Sequence, residues 1–391
     1  MLRAGRSKPR WYRRSDAKTC QFPKRAAAAC RPADALRVTR LFRPRHGFLR
    51  LALIYLAGAV IGWLGTLAGL PLPYMIGPLL MTAALSLSQR LTAPLPVRTR
   101  PFGQAVVAST VGLAFTPAAL RAVIEAMPLL IVMSAMTASL ALAVSVLQAR
   151  LSGARLSRMV LATFPVAPVE SAVIAESVGI PPAPVVMAQT LRIAAIVVSV
   201  PLLIYAIDGR PQIAALPASA GWNPAGLIVL IAVAAGGGFL FRLLGWANPF
   251  FLGPLAAAGA VTAAGFELPH YPAVMLAAAQ ILLGAWLGST FQPHLFRGAR
   301  REMVVSLGGT LLMLTLTCAG AVMLSRLTGI GWEVLVLGVA PGGVTEMALT
   351  AQYLHLDPSL VTAAHVVRIF MLMPLARPLI RLVGRIEARS G

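Results

Sequence analysis

The stretch PYMIGPL at residues 73–79 recurs as PFFLGPL at residues 249–255, an offset of 176 positions. The same offset aligns the rest of the two halves without a gap. Glycine, proline and ionisable residues have backbone or chemical roles that other residues of a hydrophobic helix cannot take over. Such residues dominate the other aligned pairs, which include Gly62 and Gly238, Gln104 and Gln280, Gly112 and Gly288, Pro165 and Pro341, Glu170 and Glu346, and Arg192 and Arg368. The chain is therefore a duplicated unit.

Composition places this unit in a membrane. Hydrophobic residues make up 58% of the chain and charged residues 12%, against roughly 25% charged residues in soluble domains. Lipid accepts only helices and closed barrels as spanning structures, and the apolar segments approach the ~20 residues that a helical span needs. The fold class is therefore an all-α polytopic membrane protein. Its apolar segments cover 51–70, 72–88, 103–117, 123–148, 159–178 and 183–206, then 223–246, 249–265, 273–291, 303–325, 333–353 and 359–376.

We divide the chain into a basic tail (1–48), a first membrane repeat (49–206) and a second membrane repeat (223–385). Fourteen of the basic residues lie within positions 1–45. This composition predicts a disordered cytoplasmic arm that is attracted to anionic lipid. A start codon assigned too early and a binding arm are the alternatives.

The distribution of arginines predicts an inverted repeat. Basic residues in short loops mark the cytoplasmic side, and the connections that carry them change between the halves. If segments 159–178 and 333–353 each enter and leave on one side, every copy has five crossings plus one broken or re-entrant segment. The second copy is then inverted, and both termini lie in the cytoplasm. The arginines concerned are Arg90, Arg98, Arg100, Arg150, Arg155 and Arg158, then Arg242, Arg297, Arg300 and Arg301.

Both interrupted segments place a proline five residues before a glutamate, Pro165 before Glu170 and Pro341 before Glu346. The proline removes a backbone donor, so each glutamate is expected in the first turn of a helix that restarts within the membrane, where the helix dipole stabilises a carboxylate. An arginine follows 22 residues later, Arg192 in the first copy and its counterpart in the second. The other residues that define this broken-helix geometry are Gly342 and Gly343, and Pro73, Gly77, Pro78, Pro249, Gly253 and Pro254 of a second element.

Two interpretations of these ionisable residues remain. Intramembrane charges are costly and are therefore a functional hypothesis by default. In the functional interpretation, Glu170 and Glu346 carry a cation or proton, while Arg192 and Arg368 act as countercharges or anion ligands. In the structural one, two buried Glu–Arg pairs lock helices together. Gln104 and Gln280 are further binding candidates, with a role as interhelical hydrogen-bond donors as the alternative.

The doubled motif and the run APGGVTEM at residues 340–347 resemble the membrane-bound AbrB family. The resemblance extends over about residues 50–385. It implies a duplicated integral membrane protein with a role in regulating gene expression. Some members are also labelled ammonia monooxygenases. It carries over no catalytic or binding residue.

The residues argue against an enzyme. A copper or iron oxygenase needs clustered histidine and carboxylate ligands, whereas the five histidines are scattered, so we expect no metal and no cofactor. Direct nucleic-acid binding is not expected either, because the tail resembles no known module. The favoured hypothesis is a secondary transporter of a small polar or anionic solute in the inner membrane. H⁺ and Na⁺ are the candidate coupling ions. The alternative is a non-transporting sensor or scaffold that regulates transcription through partners, and a homo-oligomer is compatible with both.

Overall fold

A computed structural model describes residues 47–209, 224–246, 248–293 and 300–390, and its regular structure in these ranges is helical. The predictions for residues 1–46, for most of the connection at 207–222 and for 294–299 lie outside the described residues. The first repeat contains α1 (Phe48–Leu67), α2 (Pro73–Leu87), α3 (Arg100–Gly112), α4 (Pro117–Glu125), α5 (Met127–Ser152), α6 (Leu156–Thr163), α7 (Pro168–Ser177) and α8 (Pro182–Asp208). The second contains α9 (Pro224–Leu243), α10 (Pro249–Ala263), α11 (Ala273–Ser289), α12 (Arg300–Thr328), α13 (Trp332–Val339), α14 (Val344–Tyr353) and α15 (Pro358–Ser390).

The helix boundaries repeat at the offset seen in the sequence. The pairs α1 and α9, α2 and α10, α6 and α13, and α7 and α14 each have equal lengths and begin 176 positions apart. The prediction of two tandem repeats is therefore confirmed.

Within the described ranges, six helices are long and apolar enough to cross a membrane: α1, α5 and α8 in the first repeat and α9, α12 and α15 in the second. The other predicted crossings are shorter. Helix α2 has 15 residues, which at about 1.5 Å per residue covers about 22 Å of a hydrocarbon core about 30 Å thick. Helix α3 is followed, after a bend of 89°, by α4. Each repeat thus combines three long helices with shorter ones, among them α2 and α3 in the first repeat and α10 and α11 in the second.

Equivalent helices of the two repeats run in opposite directions. Near the end of α5, the Gln148 amide donates a hydrogen bond to the carbonyl of Ser306 near the start of α12, over 3.4 Å. Further along, Met136 of α5 lies against Gly320 of α12. Residue numbers therefore fall along one helix as they rise along the other. Because both helices are long enough to span the membrane, this antiparallel pair agrees with the inverted repeat predicted from the arginines.

The repeats also interlock through short helices, because α2 packs on α11 and α10 packs on α3. Gly288 in α11 lies against the backbone of α2, where an added Cβ would collide with the Leu79 carbonyl oxygen. The equivalent Gly112 in α3 would place a Cβ 3.0 Å from the Leu255 carbonyl oxygen. Glycine at both positions therefore permits the close contact between helices.

The expectation of a second broken helix at the duplicated PxxxGPL element is wrong. Helices α2 and α10 continue through Pro78 and Pro254. Each proline lies early in its helix and removes only one backbone hydrogen bond. The glycine before it serves in packing: Gly77 lies against Ile61 of α1, and Gly253 against Gly237 of α9.

One face of the protein collects the basic loops, and we call it the basic face. Arg158, just after the end of α5, forms an ion pair with Glu302 at the start of α12, with N and O 2.8 Å apart. The backbone N–H of Leu95 donates to the Ser289 hydroxyl at the end of α11, over 2.9 Å. Glu387, near the end of α15, accepts from the backbone N–H of Ser157. Loop 88–99 therefore lies beside the end of α11. Loop 153–155, the start of α12 and the end of α15 lie together and form the basic face. Its assignment to the cytoplasm remains a prediction.

Cysteine labelling tests this topology. In a background without Cys20, Cys30 and Cys318, we expect Arg155→Cys and Arg301→Cys to react with an impermeant thiol reagent from the cytoplasmic side only. His270→Cys should react only from the other side. Labelling of Arg155→Cys and Arg301→Cys from opposite sides would contradict both the inverted repeat and the basic face.

Candidate functional site

The two interrupted segments form helical hairpins. In the first, α6 enters and α7 returns, and the Gln189 side chain of α8 bridges the two limbs. Its amide donates to the Leu161 carbonyl in α6 over 2.6 Å and to the Ser171 hydroxyl in α7 over 2.5 Å. Both limbs therefore lie at the same height beside α8.

The hairpin enters and leaves on one face because α8 starts where α6 starts. Gln189 bonds Leu161, and Arg192 three residues later bonds Thr163, so α6 and α8 run parallel. Each contact joins residues at similar distances from the starts of α6 and α8, so the two helices begin at about the same height. In the second repeat, His365 and Arg368 of α15 contact Leu337 and Ala340 in the same way. This geometry agrees with the re-entrant segments predicted from the sequence.

The arginines bind the ends of the entering limbs. The last carbonyls of a helix have no partner within it, and here the chain turns away at the proline. Arg192 donates through Nη1 to the carbonyls of Thr163 and Phe164, the latter at 3.3 Å. Arg368 donates to the carbonyls of Ala340 at 2.8 Å and Gly342 at 3.3 Å. A positive charge at the negative end of a helix dipole is also favourable.

The glutamates occupy the opposite ends of the breaks. Glu170 and Glu346 lie in the first turn of α7 and of α14, as predicted. The Glu346 carboxylate folds back over Gly343, where any side chain would collide with it. A carboxylate at this position faces the unpaired N–H groups of a helix N-terminus. Each break therefore has a cation at the helix end before it and an anion at the helix start after it.

The expected buried Glu–Arg pairs are not formed. Among the residues that the structure describes, neither Glu170 nor Glu346 forms an ion pair with Arg192 or Arg368 within 4.0 Å. The physical reason is competition, because the carbonyls of the broken helix take up the Arg192 and Arg368 guanidinium groups. The arginine that follows each glutamate by 22 residues therefore binds the backbone carbonyls at a hairpin tip, not the glutamate.

The two hairpin tips approach each other. Gly342, at the second tip, lies against Ile196 of α8, one turn beyond Arg192. Arg192 and Arg368 lie at these two tips, and both side chains are 4% exposed. The Nε atom of each is buried without a hydrogen-bond partner. Two cations with one unused donor each are an arrangement that an anion could bridge.

A third arginine near the second tip was missed as a site residue. Arg100, at the first position of α3, places its guanidinium carbon 4.5 Å from the centroid of the Trp286 ring. Helix α3 also packs on α14, the helix that carries Glu346. The equivalents of Arg100 and Trp286 are Leu276 and Thr110, so this cluster occurs in one repeat only. The sequence feature that could have indicated Arg100 is its position at a helix N-terminus, where the helix dipole disfavours a cation.

Gln189 and His365 were also missed, and they occupy equivalent positions. His365 is fully buried. Its Nδ1 accepts from Arg368 over 2.6 Å, so its Nε2 carries the proton and donates to the Leu337 carbonyl over 2.9 Å. Because these two equivalent residues differ in type, identities at the repeat offset do not reveal the pair.

The two candidate glutamines lie on helices outside the two hairpins. Gln104 and Gln280 are buried on α3 and α11, which meet where Gly103 approaches the Ala279 carbonyl. No hydrogen bond joins either glutamine to a hairpin within the described ranges. Those ranges also contain no group of three or more His, Cys, Asp or Glu side chains that could hold a metal ion.

Comparison with known proteins identifies the family. The sequence model described as transition state regulatory protein AbrB matches the chain twice, over residues 19–208 and 93–384. The chain belongs to the AbrB family. It is 30% identical over 233 residues to the uncharacterized protein YhjN of Bacillus subtilis (strain 168), an alignment that covers 56% of this chain and 61% of that protein. The matched region is thus less than two thirds of the relative. No solved structure matches.

The partners of the arginines can be tested by stability. Removal of Arg368 in Arg368→Gln leaves two carbonyls at the hairpin tip without their donor, and each buried unpaired group costs about 1–3 kcal/mol. We therefore expect a lower melting temperature in detergent. Glu346→Gln should change it little, and the double variant should not recover. Recovery in the double variant would show that Glu346 and Arg368 neutralise each other after all.

Proposed function

We propose that this AbrB-family protein is a secondary transporter of a small anionic solute in the cytoplasmic membrane. The observation that carries the proposal is the pair of buried arginines at two facing hairpin tips, each with an unused Nε donor. Inverted repeats with interrupted helices that meet near the bilayer midplane are the architecture of many secondary transporters. A carboxylate or phosphate could use both guanidinium groups at once.

The glutamates supply a coupling site in this proposal. Each lies at the start of the returning limb, on the same hairpin tip as an arginine. Protonation, or binding of Na⁺, would neutralise the carboxylate and so change the charge of the tip as the solute binds. Because each hairpin enters from its own face, a rigid movement of one repeat against the other would expose the tips to either side in turn.

A regulatory effect would be indirect in this proposal. The family description names a transition state regulatory protein, and a change in the cellular concentration of a transported metabolite can alter gene expression without contact with DNA. A non-transporting sensor or scaffold is the competing explanation, and flux measurements separate the two.

Proteoliposomes provide the test. Purified protein would be assayed by electrogenic current and by tracer uptake, with inorganic phosphate and a set of mono- and dicarboxylates as probes under Na⁺ or pH gradients. We expect at least one of these anions to give a saturable flux that a gradient drives. If none of them is transported, the sensor or scaffold explanation replaces the transporter.

The ionisable residues give a sharper prediction. Glu170→Gln and Glu346→Gln keep the shape of the side chain and remove its charge, so the protein should fold and insert while gradient-driven flux falls at least about tenfold, the effect of about 1.4 kcal/mol. Arg368→Lys should also lower flux, because lysine lacks the fork that binds two acceptors. Arg121→Gln, an exposed position on α4, is the control. Full flux in both glutamine variants would remove the glutamates from the site.

A further inference from the structure

A line of polar side chains connects the basic face to the first hairpin tip. We call it the polar seam, and it consists of Arg158, Glu302, Ser306, Gln148 and Thr163. It runs between α5, α6 and α12. Polar residues are costly between membrane helices unless they are paired or hydrated, so a continuous line of them requires a physical explanation.

Hydrogen bonds link the members of the seam in two groups, Arg158 with Glu302 at the face and Gln148 with Ser306 and Thr163 deeper in the protein. Arg158 and Glu302 pair at the face over 2.8 Å. One helical turn deeper, the Gln148 amide nitrogen donates to the Ser306 carbonyl over 3.4 Å. The Thr163 hydroxyl donates to the Gln148 amide oxygen. The carbonyl of Thr163 in turn accepts from Arg192, so the seam ends on the candidate site.

Several atoms along the seam have no partner. Arg158 Nε, Glu302 Oε2 and Ser306 Oγ are buried and make no hydrogen bond within the described residues. Buried polar atoms are rarely left unpaired, and ordered water is the usual partner where protein groups are absent. Three unpaired atoms at the outer end of one polar line therefore indicate that water enters there.

The seam is short. Helix α6, which forms one of its walls, has eight residues between the basic face and the hairpin tip. At about 1.5 Å per residue it is about 12 Å long, which is less than half of a hydrocarbon core about 30 Å thick. Water at Thr163 would thus reach the candidate site near the middle of the membrane.

The five equivalent positions in the second repeat are apolar. At the repeat offset, the five seam positions correspond to Val334, Ala126, Leu130, Leu324 and Val339. Leu130, Leu324 and Val339 are 0%, 8% and 1% exposed. Because the repeats are inverted, this apolar path leads from the second hairpin tip towards the opposite face. The two paths are therefore equivalent in backbone and opposite in chemistry.

We infer that the polar seam is a hydrated entry site through which water and the small anionic solute reach Arg192 from the basic face. Its apolar counterpart is the barrier that closes the site from the opposite face. Gln148 is the narrowest point, because its amide fills the space at Gly309 where any side chain would collide with it. The identity of the solute in this inference rests on the proposed function. The hydration of the seam is independent of it.

Cysteine accessibility tests the seam with matched controls from the repeat. In the cysteine-free background, Ser306→Cys and Thr163→Cys would be treated with an impermeant thiol reagent from the basic face, and their counterparts Leu130→Cys and Val339→Cys from the opposite face. A thiol reacts as the thiolate and so needs water. We expect the seam variants to react at least about tenfold faster than their counterparts. Equal rates, or no reaction of Ser306→Cys, would overturn the inference.

A second substitution locates the narrow point. Gln148→Leu introduces the residue that occupies the equivalent position, Leu324. With this change, Thr163→Cys should become unreactive while Ser306→Cys, nearer the face, keeps its rate. Unchanged reactivity of Thr163→Cys would contradict the role of Gln148. Labelling after denaturation and a monodisperse elution profile verify that each variant is present and folded.

The labelling requires no transport, so the two proposals can fail separately. A reactive seam in a protein without anion flux would support the hydrated entry site and reject the transporter. An anion flux with an unreactive seam would support the transporter and reject this entry site.

Discussion

The binding of backbone carbonyls by two buried arginines is the interaction on which the site depends. A helix that stops inside a membrane leaves carbonyls that neither lipid nor its own chain can satisfy. Arg192 and Arg368 supply the missing donors from the next long helix. They thereby make a hairpin tip possible at that depth, and each contact also fixes the height of the hairpin beside that helix.

The same interaction explains why the arginines and the glutamates are retained together without pairing. A broken helix has two ends of opposite polarity, and each end favours the opposite charge. Arg368 lies at the carbonyl end of one break and Glu346 at the N–H end of the same break. Both charges are therefore stabilised locally, which leaves the Nε donors of the arginines unused.

Inverted duplication gives the protein two equivalent halves, and its asymmetry lies in a few side chains. The backbone contacts at Gly112 and Gly288 are repeated. The polar seam and the cluster of Arg100 with Trp286 occur once. Selection on packing preserves positions in both copies, whereas a path that must differ between two faces of a membrane requires divergence at equivalent positions. Differences between the repeats are therefore as informative about function as the identities.

The sequence by itself determined the membrane class, the tandem repeat and the restart of a helix before Glu170 and Glu346, because composition, offset and proline spacing are local properties. It also predicted the re-entrant segments, since the reversal of the arginines requires an odd number of crossings. The partners of the arginines and the roles of Arg100, Gln189 and Gln148 depended on the tertiary structure. These features arise from contacts between segments far apart in the chain, such as Gln148 with Ser306. Spacing along a sequence cannot decide which of several acceptors a buried guanidinium will meet; only the packed positions of the helices do.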